Sequence, residues 1–338
     1  MIYRVAAETI VVEAQDTWAA RVIEKLFAGW YLTPDTAARH ESFDALSSPA
    51  IVVTTRVAPP EIPRTWPQFE IAGGGTCFTD GKTSYIDLDG SIIAIGKPGH
   101  AVEVWTNGML EIQSPLLTRV VTYALAAALR RRGLFELHSG AVIDPENGNG
   151  VLIIGPSGSG KSTLTVQLAA AGWSFLTDDV LLLSAEGVEV KAWPLRRCFA
   201  ITAETFAASN FLQARATLDY LSAQPSVKTD ARKHAKKKFA PHAVFDAEFK
   251  EQCIPRALFF SELSGGERSH VLQLSAAETM ARLIRMNPWS CYDRSTAAEH
   301  LAVLSALVKQ STGYALHAGK DLLDPEASAN LIAGYTRR

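Results

Sequence analysis

The chain has 338 residues, 47% of them hydrophobic and 20% charged, with a formal net charge of −2. This is globular composition, too apolar for a disordered chain, and the charge balance speaks against a globally basic nucleic-acid binder. No apolar run reaches the roughly 18 residues of a membrane-spanning helix. The opening MIYRVAAETIVVEAQ, acidic by Glu8, does not read as a secretion signal. Four cysteines (Cys77, Cys198, Cys253, Cys291) are scattered without CxxC or Cys/His metal spacing, as expected of free thiols in a cytoplasmic protein. The length suggests two domains.

Residues 1–112 read as a β-rich N-terminal domain, a candidate for substrate recognition. The runs YRVAAETIVVEA, AIVVTTRVA, TSYIDLDG, SIIAIG and AVEVW are short and broken by Gly, Pro and Asp. TWAARVIEKLFAGW alone has helical spacing. AGGGT and TDGKT are turn signals. Residues 113–133 form a connecting helix. Ser114 fits an N-cap, Pro115 the first helical position, and Gly133 the stop. Arg130, Arg131 and Arg132 fall at its C-terminus, where the helix dipole favours cations.

Residues 134–338 read as a second domain with a mixed sheet and C-terminal helices. LFELHSGAVID and VLIIG are strands around the turn PENGNG. Lys161–Ala171 is a helix that stops at Gly172. WSFLT is a strand ending at Asp178-Asp179. VLLLS and VEVKAW, joined at Glu186-Gly187, form a hairpin where a doubly wound fold would place a crossover helix. Residues 213–243 read as a polar, basic loop: from Lys228 to Lys238, six Lys/Arg (228, 232, 233, 236, 237, 238) stand against one acid, Asp230. ALFFSEL and HVLQLS read as a second hairpin around SGGERS. SAAETMARLIRM, STAAEHLAVLSALVKQ and DPEASANLIAGY are helices.

The most specific motif is Gly155-Pro156-Ser157-Gly158-Ser159-Gly160-Lys161-Ser162-Thr163. It fits G-x-x-x-x-G-K-[ST] between a strand and a helix, the context a phosphate loop requires. Its glycines let backbone N–H groups turn inward around an anion. The helix that follows adds its positive N-terminal end. Lys161 is placed to reach the β- and γ-phosphates of a nucleotide, and the Ser162 hydroxyl to ligate Mg²⁺. Asp178 and Asp179 lie at the end of the next strand. A carboxylate there can hold Mg²⁺ or accept a proton from an attacking hydroxyl. Adjacent strand residues point to opposite sides, so one base and one metal partner is the expected division. His138 sits on the strand before VLIIG. Taken alone, it reads first as a structural histidine.

The stretch HSGAVID–turn–GVLIIGPSGSGKSTLTVQLAAAGWSFLTDDVLLL resembles the catalytic domain of HPr kinase/phosphorylase, whose core is related to phosphoenolpyruvate carboxykinase. The likeness covers His138 to Leu183 well and is looser to about residue 310. It implies an ATP- and Mg²⁺-dependent serine kinase. It assigns Lys161 to the phosphates, Ser162 to the metal, Asp179 to proton acceptance with Asp178 beside it, and His138 to the active site. Three departures matter. The family has Gly-Asp-Ser-Gly where this chain has Gly155-Pro156-Ser157-Gly158. It has an acid where this chain has Thr163. Its Glu-x-Arg-Gly-x-Gly signature, tied to metal binding and phosphorylase activity, is missing, and Glu204 is the nearest candidate metal ligand. The chain looks more like the HPr-kinase-related tailoring kinases of peptide natural-product clusters, which phosphorylate a peptide hydroxyl. That resemblance implies a peptide or protein partner rather than HPr, while the missing signature speaks against phosphorylase activity, whose presence the sequence leaves open.

Arg196 and Arg197 after the hairpin could clamp a moving phosphoryl group, and Lys236 in the basic loop could hold nucleotide or substrate. Leu263-Ser264-Gly265-Gly266-Glu267 nearly reproduces an ABC-ATPase signature, but the flanking sequence predicts a turn. The expected function is phosphoryl transfer to a serine or other hydroxyl of a peptide or protein. A small-molecule kinase and a nucleotide-binding regulatory module are the alternatives. No nucleic acid or membrane partner is expected, and oligomerisation is left open.

Overall fold

The computed structural model describes residues 1–6, 8–15, 17–27, 33–34, 50–55, 58–71, 74–96, 101–106, 115–195, 199–214, 236–239, 244–246 and 248–337. Two compact units divide them: Met1–Phe135 with Trp289–His300, and Glu136–Pro288 with Leu301–Arg338. Both helices and strands contribute, with a mixed sheet in each unit.

Among the described residues the first unit carries β1 (Ile2–Val5), β2 (Glu8–Ala14), β3 (Thr33–Pro34), β4 (Ile51–Thr55), β5 (Gln68–Glu70), β6 (Thr76–Thr79), β7 (Ser84–Leu88), β8 (Ser91–Ile95) and β9 (Val102–Thr106). Their order is β3-β1-β2-β4-β9-β8-β7-β6-β5. The pairs β2–β4 and β4–β9 are parallel, and the flanking ribbons are antiparallel. The single run YRVAAETIVVEA is a hairpin of β1 and β2, bent at Ala6, whose φ is 54°. Helices α1 (Thr17–Phe27) and α2 (Pro115–Arg130) pack on the sheet. Helix α2 starts at Pro115, whose fixed φ suits a first helical turn, while its expected cap Ser114 lies outside the described residues. Gly133 takes φ +72° just past its end.

The arginines ending α2 do more than complement a dipole. Arg130 Nε lies 3.2 Å and Arg131 Nη1 3.0 Å from Asp293 Oδ2, all three side chains buried. The Arg130 guanidinium also covers the Trp289 ring at 4.8 Å. This ion cluster explains why Trp289–His300, assigned from sequence to the second domain, belongs to the first unit. Burial pushes the Asp293 carboxyl upward, but Arg130, Arg131 and the Ser295 hydroxyl outweigh it and hold it below its ordinary value.

The second unit begins with β10 (Phe135–Ile143), β11 (Gly150–Ile154), α3 (Lys161–Ala170), β12 (Ser174–Thr177), β13 (Val180–Glu186) and β14 (Glu189–Pro194). Next come β15 (Phe199–Thr202), α4 (Ala203–Ala208), α5 (Asn210–Ala214) and β16 (Lys236–Phe239). They are followed by β17 (Pro255–Leu263), β18 (His270–Gln273), α6 (Ala276–Met286), α7 (Trp289–Tyr292, in the first unit), α8 (Arg294–Gln310), β19 (Thr312–Ala318) and α9 (Pro325–Thr336). The main sheet runs β14-β13-β10-β11-β17-β19-β18, with β12 also on β10. The hairpin after Asp179 is present: Leu181 pairs Pro194 and Glu186 pairs Glu189. One face buries Val151, Ile153, Phe259 and Tyr314 beneath Leu164 and Leu168 of α3 and Ile332 of α9.

Two expectations change. First, β17 and β18 are not a hairpin. The run TGYALHA, unassigned from sequence, forms β19 between them, parallel to β17 and antiparallel to β18. Two apolar runs across a Gly-rich turn read as a hairpin because a strand arriving about forty residues later leaves no local mark. Second, part of the expected basic loop is strand β16, antiparallel to β15, with Thr202 opposite Lys236. Among the described residues no helix is long and apolar enough to cross a membrane.

Candidate functional site

Strand β11 is buried along its whole length. Its last residue, Ile154, pairs antiparallel with Ser139 of β10 and parallel with Phe260 of β17. The following loop therefore leaves the sheet between the ends of two strands, and each supplies part of the site.

Gly155 opens the loop. A Cβ there would sit 2.5 Å from Ser159 Oγ and 2.6 Å from the Ser261 carbonyl oxygen, so no larger residue fits. Gly158 (φ +84°) and Gly160 (φ +88°) take the left-handed conformation that favours glycine. Pro156, Ser157 and Gly158 form the exposed tip, while Ser159 is buried. Ser159 N–H closes the turn on the Pro156 carbonyl at 3.2 Å.

Helix α3 then starts at Lys161. Its N-cap is Gly160, no side chain caps it, and no acid lies in its first turn. Such an end presents unpaired amides and a positive dipole to an anion. The Lys161 side chain is buried and curls over the loop. Its ammonium donates to the carbonyls of Gly155 at 2.7 Å and Pro156 at 2.8 Å. The Ser162 hydroxyl is half-buried in the first turn. Thr163, where the resembled family has an acid, instead shares a 3.1 Å hydroxyl bond with Thr205 of α4.

Asp178 and Asp179 join β12 to β13. The Asp179 carbonyl accepts from the Ser139 amide at 3.0 Å, which fixes the junction against β10. Asp178 is turned inward, 1% exposed, whereas Asp179 remains partly open. Asp179 Oδ1 lies 3.1 Å from His138 Nδ1. A carboxylate only accepts, so a hydrogen bond across this distance is donated by Nδ1. Gly140, two residues on, lets β10 approach α3: a Cβ there would come within 2.2 Å of Thr165 Oγ1. His138, the loop, Lys161 and the aspartates thus share one edge of one unit.

Other sequence candidates lie elsewhere. Arg196 and Arg197 are outside the described residues. Lys236 is on β16 and Glu204 on α4, and neither side chain is described. Among the described residues no three His, Cys, Asp or Glu side chains gather as a metal cage. Leu263–Glu267 leaves β17 as a turn. Its far end is tied by Ser269, whose amide donates to Asp321 Oδ2 at 2.9 Å, and it opens no helix. Burial pushes the Cys253 thiol up to about 12, and its sulfur packs against Gly150.

Two features at this edge escape sequence reasoning. Ser261, 3% exposed, donates its hydroxyl to the Ser159 carbonyl at 2.8 Å. Glu262 Oε1 lies 2.6 Å from His317 Nδ1 on β19. Neither carries a motif, and the second depends on an unassigned strand.

No protein-family model and no curated protein matches the chain. Solved structures that are similar include the Hpr(Ser) kinase/phosphatase from Coxiella burnetii, at 18% identity over 38% of this chain and 64% of that one, with a TM-score of 0.23. The chain thus spans less than two thirds of that protein, and a score of this size does not establish a shared overall fold.

Proposed function

We propose that this protein is an ATP- and Mg²⁺-dependent phosphotransferase acting on a serine or other hydroxyl of a peptide or protein. The reading rests on one observation: a glycine-cradled loop with Lys161 curled inside it opens on the edge that carries the Asp179–His138 pair. The motif resemblance to HPr kinase supports the acceptor class.

The donor set suits the cation. Ser162 and Asp178 offer hard oxygen ligands of the kind Mg²⁺ takes together with phosphate oxygens and water. The uncapped helix end and the Gly155 cradle suit the phosphates. When bound, Mg²⁺ neutralises charge on the phosphate oxygens.

The residues then divide the work. Loop amides and the Lys161 ammonium hold the β- and γ-phosphates and stabilise charge spread over the transferred group. The acceptor oxygen forms a bond to the γ-phosphorus as the bond to the β-phosphate oxygen breaks, releasing ADP. The acceptor's proton passes to Asp179. His138, through Nδ1, keeps that carboxylate oriented.

The test is label transfer from γ-labelled ATP with Mg²⁺ to HPr, to peptides encoded beside the gene and to free serine, with Asp179→Asn as control. Transfer to a peptide or protein that the variant loses supports the reading. Transfer to free serine alone makes the protein a small-molecule kinase. Tight ATP binding without transfer to any acceptor makes it a regulatory module.

A further inference from the structure

We propose that Ser261 is a positioning residue that aims the Gly160 amide at the phosphate, an inference that rests on the nucleotide reading above. Ser261 follows Phe260, the partner of Ile154, and so stands level with the start of the loop. It touches the curl at both ends. Its carbonyl oxygen occupies the space a Gly155 side chain would need, 2.6 Å from that Cβ position. Its hydroxyl donates to the Ser159 carbonyl at 2.8 Å.

The second contact has a directional consequence. The described backbone holds no cis peptide, and in a trans peptide C=O and N–H point in opposite directions. Drawing the Ser159 carbonyl toward β17 therefore turns the Gly160 N–H away from β17 and into the loop. Gly160 needs such an anchor. At φ +88° and without a Cβ, it tolerates several orientations of the preceding peptide. No side chain caps α3 to fix that plane from the other side. A hydroxyl 3% exposed in the apolar run ALFFSEL is costly unless bonded, and this is the bond it makes.

The experiment uses the full chain labelled with ¹⁵N-glycine. Wild type, Ser261→Ala, Ser261→Cys and Ser261→Thr are titrated with ADP and with ATP, and the Gly160 amide resonance is followed. Loss of one hydrogen bond of this kind predicts about tenfold weaker nucleotide binding in Ser261→Ala. The ADP-induced shift of the Gly160 amide shrinks in the same variant. Ser261→Thr restores both, and Ser261→Cys, a weaker donor of similar shape, lies between; it also serves if the alanine variant does not fold. In turnover, KM for ATP rises while kcat changes little. Wild-type affinity and a wild-type Gly160 shift in folded Ser261→Ala or Ser261→Cys overturn the role of Ser261 alone. A wild-type protein that binds neither nucleotide overturns the nucleotide reading and this inference with it.

Discussion

His138 Nδ1 and Asp179 Oδ1 stand 3.1 Å apart, joining β10 to the junction between β12 and β13. The contact crosses between β10 and β12, which pair further along from Ala141 opposite Thr177. In the proposed reaction Asp179 supplies the carboxylate and His138 orients it.

Asp179→Asn keeps the shape and removes the base. Transfer is expected to fall by about 100- to 10,000-fold with ATP affinity unchanged. Single-turnover transfer beside equilibrium ATP binding separates the two. An unimpaired variant removes Asp179 from proton transfer. His138→Phe should cost less, on the order of tenfold, because the carboxylate remains and only its orientation loosens.

Lys161→Ala removes the ammonium that bridges the Gly155 and Pro156 carbonyls. Transfer should drop by about 100- to 1,000-fold, as when one charge-stabilising donor is deleted. Steady-state kinetics at saturating ATP reads the effect. A variant within a factor of about three of wild type would place the phosphates elsewhere.

Gly140→Ala should destabilise the second unit by about 1–3 kcal/mol, because its methyl meets Thr165 Oγ1 at 2.2 Å and α3 must move. Adding Thr165→Ala makes room and should recover part of the loss. Thermal unfolding of the single and double variants measures both, and additivity would show that the two sites do not touch.

Stability of the first unit should fall with acid. Burial and the nearby Arg130 push the His300 imidazole down to about 4, from an ordinary value of 6.5, with Asp293 opposing them. Between those two pH values the unfolded chain binds a proton that the folded one refuses. Stability is therefore complete above pH 6.5 and is lost as pH falls toward 4, by about 3 kcal/mol in total. Asp293, held below 3.8, adds a further loss only at still lower pH. Unfolding midpoints at pH 7.5, 6 and 5 should decline for the wild type. His300→Leu should flatten the slope across that window.

The strand–loop–helix around Gly155–Thr163 was legible because its signal is local: glycines, a lysine and a hydroxyl within nine residues, framed by a strand and a helix. The turn after Asp179 was legible for the same reason, since Glu186-Gly187 lies between two apolar runs. The β19 run and Ser261 were not. TGYALHA follows a helix with no break stronger than Ser311 and Gly313, and its place in the sheet is set by partners about fifty residues upstream. Ser261 looks like an interruption in an apolar strand until the loop is folded over it. Asp293 likewise sits in a polar stretch, and only the fold brings it to Arg130 and Arg131.

The late position of β19 has a consequence for biosynthesis. Until Thr312–Ala318 has left the ribosome, β17 has an open edge and β18 lacks its one strand partner among the described residues. Nascent chains stalled between about residues 275 and 310 therefore expose an apolar strand, the one that also buttresses the phosphate loop. Open edges of this kind recruit chaperones or one another. A segment that carries none of the proposed chemistry, Thr312–Ala318, thus closes the edge on which the loop's buttress depends.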